Sequence, residues 1–308
     1  MRLFVLLFAA AAAFGADLRV GLIGMDISHA YTFPKMLNDE KFLHHVAGAR
    51  VVAAYPGTRG VKERYYDRIT KEFQIEIVPD IPSLMPKVDA VIITSGDGNL
   101  HLGEIKQLLA AKKPVFIDKW LATKFEDAVE IARITKAAGV PVFSASSLRY
   151  EKLTADLKFP DVIGADVWAP GGVEGHEYLE ASEPAYHAIE MLYSVLGPGC
   201  EQVTRVVGAN FDDSEDVVAA RWKGGRTATV RTLRPSGPFG MVVFRPGGVV
   251  QSPAKPSITY VTLMNEVLKF FRSGVSPVPM DEMLEVISFI DASQRSKDAG
   301  GNATKLRR

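Results

Sequence analysis

The chain reads as an α/β protein: a doubly wound parallel sheet in its first half, then an α+β domain built on a largely antiparallel sheet. Two observations lead there. From Leu18 to Phe143, short apolar runs alternate with stretches that keep an apolar stripe at helical spacing, the pattern of parallel strands joined by helices. Beyond Phe143, short strands follow one another through Gly- and Pro-rich turns, broken by one amphipathic stretch after Pro184, which reads as antiparallel pairing. With 308 residues there is enough chain for two cores.

The elements follow in order. Leu18-Arg19-Val20-Gly21-Leu22-Ile23 is the first strand, and Gly24 opens a turn. In a dinucleotide-binding unit this turn is Gly-x-Gly-x-x-Gly, the glycines giving a tight turn, backbone approach to the pyrophosphate and close helix packing. Here the three places hold Gly24, Asp26 and His29. Asp26 and Ser28 suit a polar turn that caps the next helix; alternatively, Asp26 and His29 face the cleft and touch a ligand or metal. Pro34 is tolerated only near a helix start, so the first helix is expected to begin later than usual. Arg50 to Tyr55 is the second strand, and beyond it, where an acid would read an adenosine ribose, stands Pro-Gly-Thr-Arg59. Arg59 is either a solvated loop residue or a partner for a 2′-phosphate, which would favour NADP slightly over NAD.

Ile75 to Val78 and Val88 to Thr94 read as the next strands, the second followed by Ser95-Gly-Asp-Gly-Asn99-Leu-His101 and a helix. Val115-Phe116-Ile117 then ends in Asp118-Lys119-Trp120, at the strand end where open α/β sheets hold ligands. A lysine between a carboxylate and an indole is a poor structural choice and a useful chemical one. Thr123 with Glu126 forms the pattern of a capping box, and Gly139 suits the helix end before Val140 to Phe143. In the second half, strands are expected near Val162–Trp168, Val203–Val207, Val217–Trp222, Thr227–Leu233, Met241–Phe244 and Gly248–Gln251, with a closing helix from Met280 to Gly300. The helix after Pro184 places Glu183, His187 and Glu190 on one face, opposite its aliphatic stripe.

Composition limits the function. Formal net charge is zero, with 47% hydrophobic and 23% charged residues, so no field favours nucleic acid or an anionic membrane. One cysteine, Cys200, leaves no internal disulfide, and no metal site is assigned. Met1-Arg2, an apolar run from Leu3 to Ala13, and small residues through Ala16 form a secretory signal pattern too short for stable membrane insertion. Residues 1–16 are therefore expected to be removed and the protein exported, periplasmic or secreted.

The stretch Val-Phe-Ile-Asp118-Lys119-Trp120-Leu-Ala-Thr, the Ala-Gly-Val-Pro turn that follows, and Asn99 with His101 resemble the glucose–fructose oxidoreductase / inositol dehydrogenase (Gfo/Idh/MocA) family. There the strand ends in Glu-Lys-Pro. The resemblance runs from Asp17 to Gly300 and implies a Rossmann-type domain over 17–147 and a substrate and oligomerisation domain over 148–308. It implies an NAD- or NADP-dependent oxidoreductase acting on a secondary alcohol of a sugar-like or polyol substrate, assembled as a homo-oligomer through the second sheet. The family's Asp and His, four residues apart, fall on Glu183 and His187. His187 would take the hydroxyl proton, Lys119 would hold the oxygen and Glu183 would orient His187. Gly24, Asp26, His29, Arg59, Ser95, Asn99, His101 and Asp118 would line the cofactor. Export and the altered glycine turn keep a second class open: a non-redox carbohydrate-binding protein, or a metal-dependent lyase or hydrolase, on the same scaffold. His176 in the preceding loop is a further candidate for such a site.

Overall fold

The computed structural model describes residues 17–58, 66–171, 183–207, 216–233, 236–254 and 257–308, with 183 and 184 by their backbone alone. The expected signal segment, Arg59, His176 and the side chain of Glu183 lie outside the described residues. Two sheets carry the fold. The first contains β1 (Leu18–Ile23), β2 (Ala49–Tyr55), β3 (Glu76–Ile77), β4 (Ala90–Ile93), β5 (Val115–Asp118) and β6 (Val142–Ala145). All pairs are parallel and the order is β3-β2-β1-β4-β5-β6, the doubly wound order in which strand polarity of construction reverses beside β1. β4, β5 and β6 are buried along their whole length, as strands covered on both faces must be. The longer helices of this half are α1 (His29–Asn38), α2 (His101–Leu108) and α3 (Phe125–Ala138).

Two helix starts differ from expectation. α1 begins at His29 with Pro34 inside it. Proline removes one internal hydrogen bond, but Phe33, Pro34, Met36 and Leu37 are all buried on the sheet, and that packing outweighs the loss. α3 starts after Lys124 with no side-chain cap; Thr123 does not build the capping box, because its Oγ1 accepts the Trp120 indole N–H at 3.2 Å. Gly139 ends α3 as expected, at φ 66°.

The second sheet orders as β12-β11-β7-β10-β9-β8-β13, from β7 (Gly164–Pro170), β8 (Cys200–Val207), β9 (Asp216–Trp222), β10 (Thr227–Leu233), β11 (Gly240–Arg245), β12 (Gly248–Gln251) and β13 (Thr304–Lys305). Its pairs are antiparallel except β7 with β10. The exception follows from the connection: α4 (Glu183–Leu196) lies in the crossover between those strands and packs on their inner face. Burial alternates along β10, so one face meets helices and the other is open. α6 (Met280–Asp298) covers β8, and Trp222, fully buried, stacks with Tyr193 and Phe289 at centroid distances of 5.5 and 6.2 Å. α5 (Val261–Ser273) returns to the first sheet, where Phe270 meets Phe143 of β6 at 5.6 Å. Among the described residues no helix is long and apolar enough to cross a membrane.

Candidate active site

The carboxyl ends of β1, β4, β5 and β6 lie side by side and present four segments to one crevice: 24–29, 95–101, 118–120 and 146–149. Each is shaped by local chemistry. Gly24 has φ 87°, and a Cβ there would stand 2.4 Å from the Ser95 amide nitrogen, so the first glycine of the turn is required by geometry. Thr94 fastens that contact, its hydroxyl donating to the Gly24 carbonyl at 2.7 Å. α1 has no side-chain cap; its Ala30, Tyr31 and Thr32 amides turn back to the carbonyls of Ile27 and Ser28, at 3.2, 3.1 and 3.0 Å.

The other two glycine places are filled, and both side chains are engaged. Asp26 accepts the Gly96 N–H at 3.0 and 3.2 Å with its two oxygens, and Ile27 packs where a Cβ on Gly96 would sit. The carboxylate is thereby satisfied by the β4 loop, not by His29. His29 is buried, with Nδ1 at 2.5 Å from Asp118 Oδ2 and Nε2 at 3.2 Å from the Tyr260 hydroxyl. The Phe33 and Tyr260 rings flank it at 5.0 and 4.9 Å. Burial pushes the Asp118 carboxyl up, but the charge and hydrogen bond of His29, with Lys119 and His187, hold it below the ordinary range. Asp118 is thus an ionised group neutralised within the fold.

Ser95 and His101 serve the β4 loop itself. The Ser95 hydroxyl bonds Glu104 at 2.6 Å, and the His101 ring meets the carbonyls of Ser95 and Leu121 at 3.0 and 3.2 Å. Buried polar atoms require such partners. Burial raises the Glu104 carboxyl above its usual range, against the opposing Ser95 bond. Asn99 is exposed and bonds Asp97 through its side chain at 2.8 Å. A Cβ on Gly98 would stand 2.2 Å from the Trp120 indole nitrogen, so the loop also leans on the residue after Lys119.

Lys119 is buried at the β5 end, and the Lys119–Trp120 peptide bond is cis. Helix α4 brings the second domain to it. His187 is held by the Ser146 side chain, Oγ to Nδ1, and edged by Phe239 at 5.7 Å. Its surroundings lower its basicity well below the usual histidine value, through loss of water first, then the charges of Lys119 and His29, against Asp118. His187 is therefore a neutral imidazole in the field of a lysine. The expectation that Glu190 shares a polar face with it fails. Glu190 is fully buried and pairs with Arg149 at 2.7 Å, while Arg149 reaches Glu282 of α6 at 2.6 Å. α4 is buried on nearly every side from Ala185 to Tyr193, so a carboxylate one turn on must be paired inside.

Sequence reasoning passed over Ser146, Arg149 and Tyr260. Ser-Ala-Ser-Ser-Leu-Arg at the end of β6 was a legible signal, a polar run at a ligand-side strand end. Tyr260 carried none: it stands at φ 63°, fixed by Glu151, whose Oε1 accepts the Thr259 and Tyr260 amides at 2.9 and 3.0 Å. Among the described residues, no group of three His, Cys, Asp or Glu side chains is placed to hold a metal ion.

Residues 18–146 match the family model described as oxidoreductase family, NAD-binding Rossmann fold (GFO_IDH_MocA). The first domain is thus similar to the NAD-binding domain of the Gfo/Idh/MocA oxidoreductase family. The resemblance seen in Asp118-Lys119-Trp120 is borne out, and so is the two-sheet fold. Across the whole chain the same two-sheet fold recurs in solved structures. The myo-inositol dehydrogenase of Lactobacillus casei, in complex with NAD(H) and myo-inositol, superposes with TM-score 0.79 at 17% identity, covering 95% of this chain and 97% of that one. The WlbA dehydrogenase of Bordetella pertussis, in complex with NADH and UDP-GlcNAcA, gives 0.74 at 15% identity, with 95% and 99% covered. The myo-inositol 2-dehydrogenase of Lactobacillus plantarum gives 0.74 at 15%, with 94% and 100% covered. At such identities the likeness is one of fold. Among curated proteins none matches the sequence.

The feature of this crevice that fits a nicotinamide dinucleotide is the tight turn at Gly24. The dinucleotide does not fit unaided at Asp26, whose tie to Gly96 joins the two loops between which it would pass.

Proposed function

We propose that the chain is an NAD(P)-dependent oxidoreductase interconverting a secondary alcohol and a ketone on a sugar-like or polyol substrate. The observation that carries this reading is the meeting of Lys119, buried at the β5 end beside Asp118, with a neutral His187 brought by α4. A lysine and an imidazole around one oxygen are the groups that alcohol oxidation and ketone reduction need. Solved structures of the same fold are named as complexes with NAD(H) and myo-inositol, or with NADH and a sugar nucleotide. When bound, the nicotinamide supplies the hydride acceptor or donor. The Gly24 turn would let its phosphates approach the backbone, and Asp118 with His29 keeps the floor beneath Lys119 rigid.

Calorimetric titration with NAD and NADP tests the reading, on the parent and on Asp26→Gly. Arg59 beyond β2 is the reason to include NADP. Asp26→Gly removes a carboxylate from the approach to the helix start and unties Gly96, so tighter nucleotide binding with an intact fold is expected. Nucleotide heat from neither protein would refute the redox reading. A second reading, a carbohydrate-binding protein without redox chemistry, is favoured by the Asp26–Gly96 tie and by His29 in the third glycine's place; heat from a polyol but from no nucleotide would select it.

Two further proposals come from the sequence and the open sheet. The segment 1–16 directs export through the general secretory route, which N-terminal sequencing of exported protein would check. The open face of the second sheet, with Val206 and Val249 more than half exposed, mediates self-association; a monomer by light scattering at high concentration would remove that idea.

A further inference from the structure

We infer that Ser146 sets the tautomer of His187, donating its hydroxyl hydrogen to Nδ1, so that the ring carries its proton on Nε2 and meets the reacting oxygen as a hydrogen-bond donor.

Ser146 is fully buried at the end of β6. Its Oγ accepts the Leu148 N–H at 3.0 Å, the bond that caps the turn over Ser147–Arg149. That bond uses the oxygen as acceptor and leaves one O–H to be placed. The other contact of Oγ among the described residues is His187 Nδ1. The nearest carboxylate, Glu190, is taken by other donors: Oε2 by Arg149 Nε and the Ser146 amide, Oε1 by the Tyr186 hydroxyl. A fully buried hydroxyl with its hydrogen unplaced costs about 1–3 kcal/mol. If Nδ1 carried the ring proton, Oγ would accept twice and its own hydrogen would face no acceptor. If Nδ1 carries the lone pair, every hydrogen is placed. A neutral imidazole has one proton, and it then sits on Nε2. Burial of the ring near Lys119 keeps it neutral, in accord with its lowered basicity.

The consequence changes the roles expected from the sequence. A neutral ring with Nε2–H is a poor base and a good electrophile, the part an imidazole plays when it polarises a carbonyl. Within the oxidoreductase reading, His187 holds the oxygen through Nε2–H and Lys119 exchanges the proton. In oxidation, Lys119 as the free amine would take the substrate hydroxyl proton, a bound oxidised nicotinamide would supply the acceptor for the hydride of the same carbon, and the C–O bond would become C=O. In reduction, the ammonium returns the proton to the oxygen. The substrate group at His187 is therefore an acceptor, a carbonyl or hydroxyl oxygen, and Ser146 is a positioning residue.

The test is spectroscopic and needs neither cofactor nor substrate. Full-length protein labelled with nitrogen-15 histidine is examined near neutral pH by long-range proton–nitrogen correlation, His187 being identified by the signals lost in His187→Gln. The expected result is one fixed tautomer with Nε2 protonated and Nδ1 bare. In Ser146→Ala the two nitrogen shifts should move toward each other as the tautomers mix, and Ser146→Thr should restore the parent pattern. A protonated Nδ1 in the parent, or a doubly protonated ring, overturns the proposal, as does an unchanged pattern in Ser146→Ala. Should the variants not fold, the parent spectrum alone decides. Failure here leaves the nucleotide titration untouched, so the two readings fall separately.

Discussion

Arg149 lies between two carboxylates inside the protein, and replacing it with methionine is the perturbation from which most is to be learned. Its guanidinium holds Glu190 at 2.7 Å and Glu282 at 2.6 Å, and Glu190 has no exposed surface. Burial lowers the guanidinium's basicity, but the two carboxylates raise it to a net increase. Arg149→Met keeps the aliphatic stem and strands both acids. Breaking a buried pair by removing one partner costs about 3–5 kcal/mol, against a total stability on the order of 5–15 kcal/mol. Glu190 keeps the Tyr186 hydroxyl at 3.1 Å and the Ser146 amide at 3.4 Å, which argues for the lower end, about 3 kcal/mol. Glu282 is already pushed above the ordinary carboxyl range by burial, against the pull of Arg149. Without the arginine, the Glu282 value, already raised by burial, loses the pull that lowers it and rises further. The folded state then binds more protons than the unfolded state, and stability falls as pH rises. The deficit should be largest at neutral pH and shrink toward about pH 4, the unfolded glutamate range. Urea unfolding followed by fluorescence of the three tryptophans measures both quantities. The triple variant Arg149→Met/Glu190→Gln/Glu282→Gln should recover most of the loss. A deficit below about 1 kcal/mol, or one that ignores pH, would refute the reasoning.

The parent should itself weaken in acid through His187. Its folded value is depressed, so stability is present above the unfolded value near pH ~6.5 and declines below it, by up to about 1.4 kcal/mol per pH unit for one proton; His187→Gln should flatten that part of the profile. Gly24→Ala should lower the melting temperature, because an L-residue at φ 87° is strained by about 1–2 kcal/mol and its Cβ would meet the Ser95 backbone. An unchanged melting temperature would show that this turn is not packed as described.

The sheet of the first half was legible because burial on both faces writes continuous apolar runs: Val91-Ile92-Ile93 and Val115-Phe116-Ile117 leave little choice. Asp118 and Lys119 were legible for the same reason, as the first two polar residues after such a run at a ligand-side strand end. His187 was placed by its spacing, but its partner was not. Ser146 is about forty residues away in sequence and meets the ring only because β6 and α4 converge. Glu190 misled for a related reason. Helical spacing says which residues share a face, and only tertiary packing says that the face is interior. Thr123 wrote the letters of a capping box while an indole claimed its hydroxyl. Local pattern is a weak prior wherever a neighbour distant in sequence competes for the same atom.

The return of α5 to the first sheet separates what is contiguous in sequence from what folds as a unit. Tyr260 meets His29 across 231 positions, and Arg272 donates to the Gly48 carbonyl across 224, while Phe270 covers Phe143. A fragment ending at residue 146 would contain every strand of its sheet and still lack part of its own cover. Cut there, it would bare aromatic surface at β6 and strip Asp118 and His29 of the hydroxyl that closes over them, a recipe for aggregation during synthesis, when the early half must wait for the late one. Chain closure of that length is slow to pay back its entropy. Assembly of the crevice is thus a late event, completed only when the last third of the polypeptide has docked.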